Sequence, residues 1–190
     1  MIYIIMGVSG CGKSSLGLLL SEKFGWPLHE GDDFHPQENT EKMTRGEPLT
    51  DQDRVSWLLK LHEVIQRERR SGSDALVVCS SLKRHYRQIL LYGSKALASS
   101  SSPDQEISPP SSPDVFFLFL HGDYDVIHQR LAARRGHYMK ADMLRSQFDV
   151  LEPPLKEENG FTVDVGRSIT DVAAEVEKHI ISLKSSSVMR

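Results

Sequence analysis

Residues 7–14 read Gly7-Val8-Ser9-Gly10-Cys11-Gly12-Lys13-Ser14, and they follow the apolar run Ile2-Tyr3-Ile4-Ile5-Met6. This is a G-x-x-x-x-G-K-[ST] phosphate loop between a predicted strand and a predicted helix, the context that the motif requires. The glycines let backbone N–H groups surround a triphosphate, and the N-terminus of the next helix adds positive potential. A glycine-rich connecting turn would not explain the Lys-Ser pair.

The size and composition of the chain predict one soluble domain, residues 1–190. Hydrophobic residues make up 39% of the chain, charged residues 26%, and the net charge is −3. This balance argues against general binding to nucleic acid or to a membrane surface, and no apolar run approaches the ~18 residues of a membrane span. Two cysteines and the lack of a signal-peptide pattern predict a cytoplasmic protein.

Five apolar runs alternate with helical patterns, at residues 2–6, 26–29, 75–79, 115–120 and 161–165. The third and fourth runs are continuously apolar, which is typical of buried parallel strands. The alternation predicts an α/β fold with a three-layer, doubly wound parallel sheet of about five strands. Ligands then bind beyond the carboxyl ends of the strands, where the phosphate loop lies.

Two helices have clear boundary signals. Thr50-Asp51-Gln52-Asp53 resembles a capping box, and Gly72 closes the same helix. One predicted apolar face of this helix consists of Val55, Leu58, Leu59, His62 and Ile65. The last helix begins near Ser168, and its predicted stripe consists of Ile169, Val172, Ala173, Val176, Ile180 and Leu183.

Residues 98–113 are rich in serine and proline and lack aromatic residues. Such a segment cannot offset the entropy of ordering by burial. We interpret it as a flexible insertion loop before the fourth strand. A regulatory phosphorylation role at the Ser-Pro pairs is the alternative, and a tolerated insertion is favoured.

A phosphate loop indicates nucleotide binding but not a reaction. A GTPase switch would need Asn-Lys-x-Asp and Asp-x-x-Gly strings, and neither occurs in the chain. A phosphotransferase needs an acceptor site, for which Glu30-Gly31-Asp32 after the second strand is the candidate. One carboxylate could lie near Mg²⁺ and the other could take a proton from a hydroxyl group. A solvated acidic turn is the alternative interpretation.

The predicted metal donors are Ser14 and Glu30. The third strand ends in Cys79-Ser80-Ser81 and lacks the acidic residue that many phosphate-loop proteins place there. Magnesium readily keeps several waters, so a site with few protein ligands is acceptable. Lys13 is expected to reach the β- and γ-phosphates.

Basic residues cluster in two places. Lys83 and Arg87 are four residues apart on a predicted helix, and with Arg54 and Arg45 they could surround an anionic acceptor. In the predicted lid region, residues 123–150, Arg130 and Arg134 are expected on one helix face, with Gly136 ending the helix. Lid arginines would neutralise charge on a transferring phosphoryl group, although a solvated basic helix remains open.

Several longer motifs point to one family. They read Gly31-Asp32-x-x-His35-Pro36-x-x-Asn39-x-x-Lys42-Met43-x-x-Gly46-x-Pro48-Leu49-x-Asp51-x-Asp53-Arg54, Trp57-Leu58, Cys79-Ser80-x-Leu82-Lys83-x-x-Tyr86-Arg87, Arg130-Leu131-x-x-Arg134-x-Gly136-His137 and Ser146-Gln147-Phe148-x-x-Leu151-Glu152-x-Pro154. On these motifs the chain resembles the gluconokinase family over nearly its whole length. The serine- and proline-rich segment and Leu90-Leu91-Tyr92 depart from the family pattern.

The resemblance implies ATP-dependent phosphorylation of D-gluconate to 6-phospho-D-gluconate, which feeds the pentose phosphate pathway. It also implies a nucleoside-monophosphate-kinase-like fold with a mobile helical lid, Mg²⁺ as cofactor and a possible homodimer. The implied ATP-binding residues are Gly7, Val8, Ser9, Gly10, Cys11, Gly12, Lys13, Ser14 and Ser15. The implied catalytic residues are Lys13, Asp32, Arg130 and Arg134. The implied substrate contacts are Asp32, His35, Arg45, Arg54, Lys83, Arg87 and His137, with Gln147 as a reporter of lid closure.

Overall fold

A five-stranded parallel sheet forms the centre of the protein, in a computed structural model that describes residues 1–98, 112–134 and 141–189. The strands are β1 Ile2–Met6, β2 Leu28–Glu30, β3 Ala75–Val78, β4 Val115–His121 and β5 Gly160–Asp164. Their order is β2-β3-β1-β4-β5, and every neighbouring pair is parallel. The predicted doubly wound α/β fold is confirmed.

Eight helices accompany the sheet in the described residues: α1 Lys13–Phe24, α2 Gln37–Thr44, α3 Asp51–Ser71, α4 Arg84–Tyr92, α5 Lys95–Ala98, α6 Tyr124–Ala133, α7 Ala141–Val150 and α8 Ile169–Val188. Short 3-10 helices lie at Gly31–Phe34 and Lys156–Glu158. Within the described part of the chain, every helix is too short or too polar to cross a bilayer.

The sheet divides the apolar core into two layers. Side chains alternate across a strand, so Tyr3 and Ile5 of β1 face the core shared with α1 and α8. Ile4 and Met6 face the opposite core, which contains α3 and α4. Because helices cover both faces, the whole of β1 is buried, as its continuous apolar pattern indicates.

Local signals set both ends of α3. The Thr50 side chain accepts a hydrogen bond from the Asp53 N–H, Asp53 accepts one from the Thr50 N–H, and Gly72 ends the helix in a left-handed conformation. The buried face differs from the predicted one, and it consists of Trp57, Leu58, Leu61, Val64 and Ile65. The face is rotated because α3 packs against α4 as well as the sheet.

The last helix begins as predicted, with Ser168 capping α8. Its buried stripe contains Val172, Val176 and Ile180, while Ile169 at the first turn is exposed.

The predicted lid region is divided into two helices in the described residues. The prediction that α6 continues to Gly136 is wrong, because α6 ends at Ala133 and Arg134 is extended. The Arg134 N–H bonds to the Leu131 carbonyl and closes the last turn. Helical spacing therefore does not orient Arg134 relative to Arg130. Gly136, His137 and most of the serine- and proline-rich segment lie outside the described residues.

Candidate active site

The phosphate loop connects β1 to α1 at the carboxyl edge of the sheet. Gly12 takes a left-handed conformation immediately before α1, and Lys13 is the first helical residue. The Lys13 ammonium group donates to the carbonyls of Gly7 and Val8, each at 2.9 Å. Ser14 and Ser15 follow on the first turn with exposed side chains. The loop, the ammonium group and the helix N-terminus thus converge, as anion binding requires.

Helix α6 packs directly onto this loop. Gly10 has a φ of +80°, and a Cβ atom there would lie 2.5 Å from Leu131 Cγ. Glycine is therefore required for both its conformation and its lack of a side chain. Arg134 lies three residues after Leu131, just past the end of α6, and is exposed. Arg130 donates to the Arg167 carbonyl at 3.1 Å.

Helix α7 holds the loop through Gln147. The Gln147 Oε1 atom accepts from the Ser9 N–H at 2.8 Å, and its Nε2 donates to the Ser9 hydroxyl oxygen at 3.1 Å. The two bonds fix the orientation of the amide. Gln147 thus links α7 to the phosphate loop.

Asp32 lies on the 3-10 helix after β2, and its side chain is 92% exposed. The preceding Gly31 is needed because a Cβ atom there would lie 2.3 Å from the Val78 carbonyl oxygen of β3. The indole N–H of Trp57 donates to the Gly31 carbonyl at 2.7 Å. A buried scaffold therefore presents an exposed carboxylate.

The phosphate loop and the segment carrying Asp32 both contact the end of β3, since the Gly7 N–H donates to the Ser80 carbonyl at 3.2 Å and Gly31 lies against the Val78 carbonyl. Burial raises the pKa of the Cys79 thiol to about 11, while Lys13 acts to lower it and Asp32 acts to raise it. The end of β3 is thus shared by the phosphate loop and the Asp32 segment.

A cluster of charged side chains surrounds Tyr86, namely Asp51, Arg54 and Lys83. The Lys83 ammonium group bonds both carboxylate oxygens of Asp51, at 3.0 and 3.1 Å, and the Tyr86 hydroxyl donates to the same carboxylate. These hydrogen bonds, that from Tyr86 first, hold the pKa of Asp51 below its usual range. The Arg54 guanidinium lies 5.8 Å and the Lys83 ammonium 5.5 Å from the Tyr86 ring centre. The structure therefore brings Arg54 and Lys83 together, as predicted.

His35 lies near both Asp32 and the cluster around Tyr86. Its side chain is 5% exposed and stacks on Trp57 with 4.2 Å between the ring centres. Its Nε2 atom lies 3.9 Å from Asp32 Oδ1. Burial lowers the pKa of His35, Asp32 opposes this shift, and Arg54 adds to it. His35 is therefore near both Asp32 and Arg54.

Two predicted acceptor contacts, Arg45 and Arg87, are bonded to other partners and not to the cluster around Tyr86. Arg45 is exposed and pairs with Glu47. Arg87 is 1% exposed: its Nε and Nη2 donate to Glu158 at 2.8 and 3.3 Å, and its Nη1 donates to the Ser81 carbonyl at 2.9 Å. The predicted contact between Arg87 and an acceptor does not fit this geometry, because its donors are committed inside the protein. Lys83 lies before α4 with extended backbone, so helical spacing does not place it on the same face as Arg87.

Metal donors are few. Ser14 offers an exposed hydroxyl group, and Glu30 ends β2. Among the described residues, no group of three or more His, Cys, Asp or Glu side chains could hold a metal ion. The predicted contact His137 lies outside the described residues.

Three residues of the site were not predicted in their present roles, namely Asp51, Trp57 and Tyr86. All three belong to sequence segments that carry the family resemblance. Their roles depend on partners distant in the chain, such as the Tyr86 bond to Asp51 across 35 positions. The motif strings mark them as candidates but do not reveal these partners.

Comparisons with known proteins agree on one family, although no family model matches the chain. The protein named "Probable gluconokinase" of Xenopus tropicalis is 42% identical over 180 residues, covering 95% of this chain and 93% of that protein. The thermoresistant gluconokinase of Escherichia coli strain K12 is 38% identical over 174 residues, covering 91% and 89%. The crystal structure of a gluconokinase from Sinorhizobium meliloti 1021 superposes with a TM-score of 0.79 at 35% identity, covering 98% and 95%.

The first prediction concerns the buried ion pair. We expect Arg87→Met to lower the free energy of unfolding by about 3–5 kcal/mol, because it leaves the Glu158 carboxylate buried without its cation. Urea denaturation measures the change. The matched control is Arg84→Met on the exposed face of the same helix, for which we expect a change within about 0.5 kcal/mol. Equal losses in both variants would show that the ion pair does not hold this region.

Proposed function

The chain belongs to the gluconokinase family, and we propose that the phosphate loop, Asp32 and the residues around Tyr86 together transfer the γ-phosphoryl group of ATP to the 6-hydroxyl of D-gluconate. The product, 6-phospho-D-gluconate, feeds the pentose phosphate pathway. The observation that carries the assignment of residues is that the phosphate loop and the segment carrying Asp32 both contact the end of β3: the Gly7 N–H donates to the Ser80 carbonyl at 3.2 Å, and Gly31 lies against the Val78 carbonyl. A phosphoryl donor and an acceptor hydroxyl must meet at such a point.

We assign ATP phosphate binding to residues 7–15. Backbone N–H groups, the α1 N-terminus and Lys13 supply positive potential without a large number of charged side chains. Arg134 is the better supported of the two lid arginines, because it is exposed near the Leu131 contact with the loop. Arg130 remains a candidate that would have to leave the Arg167 carbonyl.

We assign Asp32 the role of accepting the proton of the acceptor hydroxyl. Its exposed carboxylate lies 3.9 Å from His35 Nε2, and among the described residues no lysine or arginine side chain forms an ion pair with it. A strong cationic partner would lower the pKa of a carboxyl group and weaken it as a base.

We assign recognition of the sugar-acid carboxylate to Arg54 and Lys83. Both lie beside Tyr86, and charge-assisted hydrogen bonds from such groups to a carboxylate are strong. The Lys83 pairing with Asp51 fixes the position of the ammonium group. Arg45, which pairs with Glu47, is a weaker candidate.

Ser14 and Glu30 would hold Mg²⁺, since both offer the oxygen donors that this ion prefers. When bound, the ion neutralises charge on the phosphates. With few protein ligands at hand, phosphate and water oxygens would complete its coordination. We further propose a cytoplasmic enzyme, where the two buried free thiols, Cys11 and Cys79, stay reduced. The homodimer stays a prediction.

A coupled assay for ADP release tests the proposed reaction. We expect Mg-ATP turnover with D-gluconate, and background rates with shikimate, other sugar acids, nucleoside monophosphates or no acceptor. Turnover with only another acceptor would keep the kinase assignment and overturn the substrate. ATP binding without turnover on any acceptor would indicate a non-catalytic nucleotide-binding protein.

Asp32→Asn should lower kcat by about 10²-fold or more, because it removes the proton acceptor while keeping the shape of the side chain. The KM for ATP should stay close to the wild-type value. Steady-state kinetics measure both constants. The control is Asp33→Asn, an exposed neighbour on the same 3-10 helix, and a similar fall in kcat there would remove Asp32 from its assigned role.

Lys83→Ala should raise the KM for D-gluconate, because a charge-assisted hydrogen bond of about 1.5–3 kcal/mol is lost. The comparison is Lys60→Ala, which removes the same charge from an exposed position on α3. Initial rates at saturating ATP measure the effect. An unchanged KM in the Lys83 variant would place the carboxylate site elsewhere.

A further inference from the structure

We propose that His35 is a positioning residue that orients the Asp32 carboxylate through an Nε2–H group, and that Asn39 selects this tautomer. The inference rests on the proposed role of Asp32 in proton transfer. It assigns to His35 an action through Asp32 in place of a direct contact with the sugar acid.

The hydrogen bonds of Asn39 determine which His35 nitrogen carries the proton. The Asn39 side chain is buried, and its Nδ2 donates to the Asp53 carbonyl at 2.8 Å. A backbone carbonyl only accepts hydrogen bonds, so the amide cannot be turned round without placing two oxygens together. The same Nδ2 lies 3.3 Å from His35 Nδ1. Nδ1 is therefore the acceptor, and the proton lies on Nε2 in the neutral ring.

The Nε2 atom faces Asp32. It lies 3.9 Å from Asp32 Oδ1, which is too long for a hydrogen bond. Hydrogen bonds at catalytic sites are often long without substrate and shorten in the reactive complex. Because the carboxylate is 92% exposed, we expect its side chain to rotate toward the histidine, whose ring is fixed by stacking on Trp57.

A neutral histidine is suited to this task. Burial lowers the pKa of His35, and the Arg54 guanidinium adds to this effect against Asp32. A neutral N–H donor aligns the carboxylate but withdraws less negative charge than a cation would. Asp32 can then be held in one orientation and still accept a proton.

The tautomer can be measured directly. Two-bond ¹H–¹⁵N spectra of protein labelled with ¹⁵N at histidine, recorded at neutral pH, distinguish Nε2–H from Nδ1–H rings. Comparison with His35→Phe, which keeps an aromatic ring against Trp57, assigns the His35 signals among the eight histidines. We expect the Nε2–H pattern in the wild-type protein. An Nδ1–H pattern would overturn the proposal, and this result needs no substrate, so it stands apart from the identity of the acceptor.

Kinetics separate positioning from a structural role. His35→Asn loses the donor at the Nε2 position and should lower kcat by about 10- to 100-fold with little change in the KM for ATP. His35→Gln places an amide N–H near the Nε2 position and should restore most of the rate. In the Asp32→Asn background, His35→Asn should have little further effect, because the two residues act as one unit.

Equal effects of His35→Asn in the two backgrounds would overturn the proposal, since they would show an action that does not pass through Asp32. The cycle uses D-gluconate or, where the acceptor panel identifies another substrate, that substrate. A failure of the gluconate assignment and a failure of the positioning role thus give different results.

Discussion

The buried ion pair between Arg87 and Glu158 holds the turn on which the site depends. The same Arg87 guanidinium donates to the Ser81 carbonyl, and Ser81 has a φ of +46°. A non-glycine residue in this region costs about 1–3 kcal/mol and persists only where its surroundings fix it. The preceding residue, Ser80, accepts a hydrogen bond at 3.2 Å from the N–H of Gly7. A pair of buried charges thereby secures the start of the phosphate loop.

The turn after β3 also connects the other parts of the site. The Leu82 carbonyl accepts from the Glu152 N–H at 2.8 Å, and the Arg84 N–H donates to the Glu152 carboxylate at 3.2 Å. Lys83 lies between these two residues and carries a charge proposed to bind the acceptor. The phosphate loop, the segment after α7 and the acceptor group are therefore tied to one short element. A change in its shape would alter all three together.

Sequence patterns predicted the features that are decided locally. The five strands, the phosphate loop, the α3 capping box and the Ser168 cap each follow from neighbouring residues, and the structure confirms them. The sequence could not show that Arg87 is buried in an ion pair, because its partner Glu158 lies 71 positions away. It also could not show that Lys83 lies before α4 with extended backbone and so does not share a helix face with Arg87. The end of α6 was likewise missed, since a turn closed by the Arg134 N–H ends the helix before the glycine. For His35, the motif marks a position near Asp32, but only the Asn39 and Asp53 contacts reveal which nitrogen is protonated.

The arrangement of charge addresses a conflict inherent in the proposed reaction. Two anions, ATP and a sugar acid, must be brought together, yet a nearby carboxylate must remain basic enough to accept a proton. Cations supply the attraction, but a cation bound to the carboxylate would lower its pKa. Here Lys83 is held by Asp51, and Arg54 donates to the Leu49 carbonyl. Among the described residues, the group that faces Asp32 at 3.9 Å is the ring of His35, whose pKa burial lowers. The groups that attract the substrates and the group that accepts the proton are thus held by separate contacts, which allows both functions in one small site.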